Sequence, residues 1–378
     1  MSNYTNIAVV AGTGSYNDLG VIRSCGEQGI PVFYITTNET HILPIHKSRY
    51  ITKTYFIDMQ EDTFINTLHT IIADYTTVLI VIFPTADITA LYLDHNQDKL
   101  KGKCFFSNAA GQLSTLMDKY EMGGMARNAG LLVPDSVKVN ILKEDVNYDT
   151  IQYPCIIKPL KSIEGEKSDI TIAGTAKELK EILLLLNQKG YENILIQKFI
   201  SKENSREIAF TGISLQNKEV IIHGQINKIR IRGNGSTVFG VYIPEINHHL
   251  IPLLKEYVKS TGYTGIFDIE LLEKDKRYYF IECNFRNGAY GYAVTKAGFN
   301  MPFSVYLDYT GKKIPVPKKQ KKIIFMEERS DFLNVLDKTI TLFHWLKDVF
   351  LTNCFLVFNI KDIRPVIRIP YFIKKHFK

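Results

Sequence analysis

The stretch GIFDIELLEKDKRYYFIECNFRNGAY, residues 265–290, has the pattern of two strands joined by a tight turn at KDK. In the second strand Glu282, Asn284 and Arg286 occupy every second position. Alternate side chains of an extended chain point to the same face. One strand face therefore presents an acid, a neutral oxygen ligand and a cation in a row.

The first strand of this hairpin adds Asp268 and Glu270, which we expect across from the end that carries Glu282. Oxygen ligands of this kind suit Mg²⁺, which proteins usually hold through a few side chains and substrate phosphates. A solvated strand edge is the alternative if the acids and the amide are taken alone. The guanidinium of Arg286 favours a metal–phosphate site, because such a site often needs a cation for developing negative charge.

The composition is that of an ordinary globular protein. The chain has 378 residues, of which 45% are hydrophobic and 22% charged, enough for two or three domains with cores of their own. The net charge is +7, yet residues 312–378 alone carry fifteen Lys or Arg against six Asp or Glu. Because the basic residues lie in one segment without a recognised reading motif, we do not expect nucleic-acid binding.

Cysteine usage and hydropathy predict a cytoplasmic protein. The five cysteines form no CxxC pair and are odd in number, which favours small buried packing residues over disulfides or a zinc site. The N-terminus has no pattern of a secretion signal. The most apolar run, residues 342–360, is interrupted by His344, Lys347, Asp348 and Asn353 and is not a predicted membrane span.

Three regions follow one another along the chain. In residues 1–112 apolar strands alternate with helices, which predicts a parallel sheet with helices on both faces. Residues 113–311 begin with a helix near 115–129 and continue with many short strands, the pattern of a mixed α+β domain. A linker rich in Pro and Lys then opens a basic segment, residues 312–378.

A lysine ends the apolar strand in YPCIIKP. Burying the ammonium of Lys158 would be costly unless it met a partner. The polar loop KSIEGEKS, residues 161–168, follows at once, contains Gly165 and is of the type that can close over phosphates. The alternative is a surface lysine beside a turn.

The stretch LIQKFISKENSRE, residues 195–207, has the pattern of a strand followed by a hinge. Gln197 and the backbone of residues 198–200 have the chemistry to read the edge of a base, and Glu207 has that to bind ribose hydroxyls. Taken alone, this pattern is generic.

The stretch NKIRIRG, residues 227–233, places Lys228, Arg230 and Arg232 on one face of a strand. That face is either solvated or binds an anion.

The turn GTGS, residues 12–15, follows the first strand as a dinucleotide-binding turn would. A GxGxxG motif, however, needs glycine where Asn17 stands, and Thr36 and Thr37 end the second strand where an acid is required. NAD binding is therefore not expected.

Taken in order, these pieces resemble the ATP-grasp superfamily and, within it, the carboxylate–amine ligases related to D-aspartate ligase. The resemblance covers about residues 8–311. It rests on LGVIRSCGEQGIPVFYI with KSRY, on LMDKYEMGGMARNAGLLVPDS, on YPCIIKPLKSIEGEK and, most specifically, on GIFDIELLEKDKRYYFIECNFRNGAYGYAVTKAGFNMP. The implied fold class is α/β and α+β: a Rossmann-like N-terminal (pre-ATP-grasp) domain, an ATP-grasp domain and a small basic C-terminal segment.

The resemblance also implies roles for single residues. The implied nucleotide contacts are Lys119 and Lys158 to the α- and β-phosphates, Gly165 in the loop over them, Gln197, Lys198, Phe199 and Ile200 around adenine, and Glu207 on the ribose. The implied ligands of two Mg²⁺ ions are Glu270, Glu282 and Asn284, with Asp268 as the alternative to Glu270. Lys228 and Arg286 would stabilise the transferred γ-phosphoryl group.

Substrate specificity is expected in the loops that end strands of the first sheet, Gly12–Ser15 and Pro84–Asp87. Asp87 would hold a substrate amino group or cap the helix that follows it. The family motif similar to RKLR stands here as Asn227-Lys228-Ile229-Arg230, so its first basic position is lost and the implied role of Arg230 in substrate binding is weakened.

The activity that the resemblance implies is ATP- and Mg²⁺-dependent amide formation through an acyl phosphate, with release of ADP and phosphate. Its setting would be the attachment of an amino acid in cell-envelope or surface-polysaccharide synthesis, on small or lipid-linked or nucleotide-activated substrates. A small-molecule kinase and a non-catalytic nucleotide-binding module are the alternatives. The basic segment either contacts a membrane peripherally or is a solvated face, and a homodimer is a family-level expectation.

Overall fold

The computed structural model describes residues 5–37, 43–142, 146–161, 165, 169–232, 235–245, 247–315 and 320–366. These residues form three β-sheets with helices packed against them. Among them, no helix is both long enough and apolar enough to cross a membrane.

The first sheet is parallel throughout and has the strand order β3-β2-β1-β4-β5. Its strands are β1 Ile7–Ala11, β2 Val32–Thr37, β3 Ile51–Ile57, β4 Ile80–Pro84 and β5 Phe105–Phe106. The helices between them are α1 Tyr16–Gly26, α2 Glu61–Asp74, α3 Asp87–His95 and α4 Gln97–Leu100. The predicted parallel sheet is therefore present, although β3, an edge strand, was not predicted.

Helices cover both faces of this sheet, as the sequence pattern predicted. Ala8 and Val10 pack in one core cluster with residues of α1, whereas Ile7 and Val9 pack in another with residues of α2. The strand order reverses at β1, so the loops that leave β1 and β4 lie side by side at one edge of the sheet.

The predicted helix at 115–129 is two helices, α5 Leu113–Leu116 and α6 Lys119–Asn128. The carboxylate of Asp118 lies between them and accepts hydrogen bonds from the backbone N–H groups of Tyr120 and Glu121, so it begins α6 as an N-cap. Gly130 follows α6 with a φ of 85°, a left-handed conformation that favours glycine.

The second sheet is small and antiparallel, with the order β6-β9-β7-β8. Its strands are β6 Ser136–Asn140, β7 Cys155–Pro159, β8 Thr171–Ala173 and β9 Asn193–Lys198. The helix α7, Ala176–Gln188, packs Leu179, Leu183 and Leu186 against this sheet. Thr175 caps α7, a signal in the sequence that our prediction did not use.

The third sheet has seven strands in the order β14-β13-β10-β11-β12-β15-β16. The strands are β10 Ser205–Ser214, β11 Val220–Arg232, β12 Ser236–Ile243, β13 Gly265–Lys274, β14 Arg277–Asn284, β15 Ile323–Met326 and β16 Cys354–Phe355. The helices are α8 Leu250–Ser260, α9 Gly291–Ala297, α10 Met301–Tyr309, α11 Glu328–Leu336 and α12 Leu342–Leu351.

The C-terminal segment joins this third sheet. Strand β15 pairs antiparallel with β12, and β16 pairs parallel with β15. The buried guanidinium of Arg23 in α1 pairs with Asp362 at 3.0 Å and donates to the carbonyl oxygens of Leu356 and Val357. The described part of the basic segment is thus anchored to both the first and the third sheet.

Candidate functional site

A cavity of about 250 Å³ lies between the second sheet and the third. Its lining combines apolar side chains of β7, of β13 and of the two residues after β9 with charged groups of these three strands. All eight residues with an implied nucleotide role line it, together with two of the implied metal ligands: Lys119, Lys158, Gly165, Gln197, Lys198, Phe199, Ile200, Glu207, Glu270 and Glu282. The structure therefore brings together residues that lie far apart in the sequence. The rest of the predicted loop 161–168, apart from Lys161, lies outside the described residues.

Lys158 reaches this cavity because side chains alternate along β7. The ammonium of Lys158 donates a hydrogen bond of 3.0 Å to Oε1 of Gln197 on the neighbouring strand β9. Burial lowers the pKa of Lys158 to about 8, and the positive charges of Lys119 and Lys202 act in the same direction against the opposing influence of Glu282. This lysine is half-buried and has the hydrogen-bond partner that its sequence context required.

The hairpin β13–β14 forms as predicted, with Glu270 paired to Glu282 and Asp268 paired to Asn284. These four side chains therefore share one face. The pKa of Glu270 is raised overall. Burial is the largest cause and raises it, the charge of Lys228 lowers it, and the charge of Glu282 raises it. The negative charges of Glu270 and Glu282 repel each other in this arrangement, so a cation between the two carboxylates would be stabilised.

Asp268 is set apart from the other three. Its side chain is only 2% exposed, and Tyr290 donates to its carboxylate at 2.6 Å. Burial and the nearby charge of Glu270 raise the pKa of Asp268 to about 7. Glu270 lines the cavity, whereas Asp268 lies behind it, bound to Tyr290, a residue that sequence reasoning did not single out.

Lys228 extends from β11 toward the same carboxylates and forms a 2.5 Å ion pair with Glu270. Burial alone would lower the pKa of Lys228, but the charges of Glu270 and Asp268 outweigh burial and raise it. Across the β10–β11 pairing, Lys228 lies opposite Glu207, which is itself ion-paired with Lys202.

Arg286 lies beyond the end of β14 and contacts the start of helix α3, which follows strand β4 of the first sheet. Its Nε donates to Asp87 at 2.6 Å, and one Nη lies 3.3 Å from the amide oxygen of Asn284. Asp87 is the first residue of α3, for which Ala86 is the N-cap, so the capping alternative for Asp87 is not what the structure shows. A small adjoining cavity is lined by Asp87, Lys119, Glu282 and Asn284.

The predicted substrate loop at Gly12–Ser15 is held by a residue that sequence reasoning missed. The buried carboxylate of Asp18 accepts hydrogen bonds from the side chains of Ser15, Tyr34 and Thr85. A Cβ at residue 12 would overlap Thr85 and Asp18, which explains the glycine there. In this structure the contacts of Gly12 and Ser15 fix the loop itself.

Arg230 does not line this cavity. Its guanidinium pairs with Asp331 at 2.7 Å and with Asp348 at 2.5 Å. The physical reason is an irregularity in β11, where the register against β12 shifts on both sides of Arg230. Strict alternation is lost there, and Ile231 lines the cavity instead. Of the predicted row of basic side chains, Arg230 and Arg232 both pair with acids of α11 or the residue that ends it, whereas Lys228 pairs with Glu270.

Comparison with known proteins gives the fold. No family model matches the chain. One curated relative is a D-aspartate ligase from Enterococcus faecium (strain Aus0004), 25% identical over 186 residues. That match spans 45% of this chain and 43% of the relative, which is less than half of either protein.

Solved structures match over most of the chain. An N5-carboxyaminoimidazole synthetase from Staphylococcus aureus, complexed with ADP, has a TM-score of 0.68 at 15% identity and covers 89% of this chain and 86% of its own. The biotin carboxylase domain of the Hydrogenobacter thermophilus 2-oxoglutarate carboxylase, in complex with MgADP and bicarbonate, has a TM-score of 0.67 at 20% identity and covers 84% and 73%.

An L-amino acid ligase from Bacillus licheniformis has a TM-score of 0.62 at 13% identity and covers 84% of this chain and 76% of its own. The chain has the ATP-grasp fold. The ATP-grasp resemblance drawn from the sequence is therefore confirmed for the fold.

Proposed function

We propose that this chain is an ATP- and Mg²⁺-dependent ligase that joins a carboxylate to an amine as an amide and releases ADP and phosphate. One observation carries the proposal: Lys158, Glu270 and Glu282 converge on one cavity, while Lys228 is ion-paired with Glu270 and Arg286 contacts Asn284 on the same hairpin. The ADP complexes of the structural neighbours and the D-aspartate ligase match support it.

The nucleotide fits the larger, apolar part of the cavity. Residues 197–200 offer an apolar slot for adenine, and Glu207 lies where it would accept from ribose hydroxyls. Lys119 and Lys158 would bind the phosphates. The ammonium of Lys158 donates a hydrogen bond to the amide oxygen of Gln197. This hydrogen bond connects the proposed adenine slot with the proposed phosphate-binding end of the cavity.

The donor set of the hairpin fits Mg²⁺. Glu270 and Glu282 are carboxylates on paired residues, and Asn284 adds an amide oxygen on the same face. Within the described residues no group of three or more His, Cys, Asp or Glu side chains is placed to hold a metal ion. Mg²⁺ is usually bound through one or two carboxylates and substrate phosphates, and nucleotide phosphates would complete the coordination here. When bound, the ions neutralise phosphate charge and orient the γ-phosphoryl group.

The chain's own cations would act on the reacting groups. A carboxylate is unreactive toward an amine near neutral pH, whereas an acyl phosphate has a good leaving group. Lys228 and Arg286 lie near the carboxylates of the hairpin, where they would stabilise the negative charge of the transferred phosphoryl group. Closure over the site would protect the acyl phosphate from water.

The carboxylate substrate and the amine substrate would enter from the side of the first sheet. Asp87 lines the small adjoining cavity and is ion-paired with Arg286. Asp87 would bind an amino group, and Arg286 would bind a carboxylate or phosphoryl oxygen. We propose an amino acid as one substrate, used in cell-envelope or surface-polysaccharide synthesis, with a lipid-linked or nucleotide-activated partner. A homodimer is part of the same proposal.

A hydroxylamine assay tests the proposal. The protein is incubated with Mg-ATP, hydroxylamine and a panel of D- and L-amino acids and other small carboxylates, and ADP and hydroxamate are measured. Glu282→Gln should abolish the product. The matched control is Glu273→Gln, which changes a glutamate of the same hairpin that pairs with Arg206 on the surface.

Each outcome of the assay is informative. Hydroxamate formed with ADP from one carboxylate, and lost only in Glu282→Gln, supports acyl-phosphate chemistry. ADP with a phosphorylated substrate and no hydroxamate would identify a kinase instead. Mg-ATP binding without any ADP would favour a nucleotide-binding module or a ligase whose carboxylate lies on a large lipid-linked molecule.

A further inference from the structure

Helix α12 exposes a row of large apolar side chains. Leu342, Phe343, Leu346 and Phe350 are 52%, 82%, 41% and 87% exposed, and we call these four residues the α12 stripe. Their spacing places them on one side of the helix within about 100°. Monomeric proteins rarely leave such a continuous apolar patch in water unless it contacts a partner.

The opposite side of α12 is fixed to the body of the protein. Asp348 is buried and ion-paired with Arg230 of β11, and Trp345 packs edge-on against Phe332 of α11 at 5.1 Å between ring centroids. The stripe therefore points outward because the other side of the helix is anchored. Helix α12 is therefore not loosely attached and cannot simply turn its apolar side inward.

The acidic residues of this region are neutralised within the protein. Residues 337–378 contain three acids, and each pairs with an arginine of the body: Asp337 with Arg232, Asp348 with Arg230, and Asp362 with Arg23. The acids thus contribute little net negative charge to the surface around α12.

The cations of the same region remain on the surface. Lys338, Lys347, Lys361 and Arg364 are exposed, and Lys347 lies directly beside the stripe on α12. Apolar side chains flanked by cations are the composition of a surface that binds anionic lipid.

We propose that the α12 stripe inserts into the interface of an anionic lipid bilayer while the surrounding lysines and arginines contact its headgroups. A second copy of the chain is a poorer partner, because two copies would bring basic surfaces together without acids to pair with them. This inference goes beyond the proposed ligase chemistry and does not depend on it. It would place the cavity near a membrane surface.

Vesicle co-sedimentation of the full chain tests the proposal. The vesicles are phosphatidylcholine with phosphatidylglycerol, and pure phosphatidylcholine. We expect binding to the anionic vesicles that weakens with salt, and a decrease of at least about tenfold in Phe343→Ser/Phe350→Ser. The matched control is Leu184→Ser/Leu185→Ser, because these leucines are 63% and 59% exposed on α7.

Three results would overturn the proposal. One is a wild-type chain that binds neither kind of vesicle, and another is equal binding by the stripe variant and the wild type. The third is a lipid-free dimer in analytical ultracentrifugation that the stripe variant converts to a monomer, which would assign the stripe to self-association. Unchanged MgADP affinity in both variants shows that they are folded, and Lys361→Glu/Arg364→Glu should also weaken binding to the anionic vesicles.

Discussion

Arg286 and Asp87 form an ion pair of 2.6 Å that joins the end of β14 to the first residue of α3. The pair connects the hairpin of the third sheet to the edge of the first sheet where the strand order reverses. Arg286 is thereby held beside Asn284 rather than left to move in solvent. This contact between two distant parts of the sequence fixes the position of the Arg286 guanidinium.

The planar guanidinium of Arg286 should be needed for turnover. Arg286→Lys keeps the charge but loses the fork that contacts both Asp87 and Asn284. We expect kcat to fall about 10²- to 10³-fold with little change in the Kd of ATP. Steady-state ADP release and calorimetry measure the two quantities, with Arg206→Lys on the exposed side of β10 as the control. An unchanged kcat would remove Arg286 from the mechanism.

Glu270 rather than Asp268 should be the carboxylate that binds Mg²⁺. Glu270 lines the cavity, whereas Asp268 is buried and accepts hydrogen bonds from Tyr290. We expect Glu270→Gln to reduce activity by about 100-fold or more and to raise the Mg²⁺ concentration needed for half activity. Asp268→Asn should leave that Mg²⁺ concentration nearly unchanged. The reverse pattern in a magnesium titration would assign the site to Asp268.

The affinity for nucleotide should decrease above pH 8 because of Lys158. Burial lowers the pKa of Lys158 to about 8, so its ammonium is protonated below that pH and loses its charge as the pH rises through it. The protonated form binds phosphate, so the Kd of MgADP should increase between about pH 7 and pH 9. Lys158→Arg, whose side chain stays charged, should flatten this dependence. An equally steep increase in the variant would show that another group causes it.

The sequence predicted the fold where apolar and polar residues, or strands and helices, alternated regularly. The hairpin of residues 265–285 lies where the pattern of two strands joined by a tight turn predicted it, and the N-terminal alternation of strands and helices gives a parallel sheet. The pairing of Glu270 with Glu282 depends on a register shift between Glu270 and Leu271, which alternation does not show. The residues of the cavity were found through the family resemblance, since their types alone were generic. Lys158 was an exception, because a lysine in an apolar strand indicates a buried partner by itself.

Other parts of the fold and of the site depend on features that regular alternation in the sequence does not show. The register shift in β11 redirects Arg230 and places Ile231 in the cavity, and no residue type in NKIRIRG marks it. The buried Asp18, which organises the loop after β1, binds side chains from two other strands and so could not be recognised locally. The addition of β15 and β16 to the third sheet was missed for the same reason, because pairing over long sequence separations is not encoded in local pattern.

Arg230 should stabilise the fold and take no direct part in catalysis. It is the cation that offsets the buried carboxylates of Asp331 and Asp348, and it also lies 4.1 Å from the ring of Phe239. Arg230→Met would leave both carboxylates without this partner, so we expect a loss of about 3–5 kcal/mol in the free energy of unfolding. Urea denaturation measures this loss.

The matched control for Arg230 is Arg232→Met on the same strand. Arg232 pairs with Asp337, whose side chain is 56% exposed, and a pair open to water contributes only about 0–1 kcal/mol. Below the denaturation range, Arg230→Met should retain its KM for both substrates, because its side chain lies away from the cavity. A raised KM with an unchanged free energy of unfolding would return Arg230 to the substrate site, as the family resemblance implied.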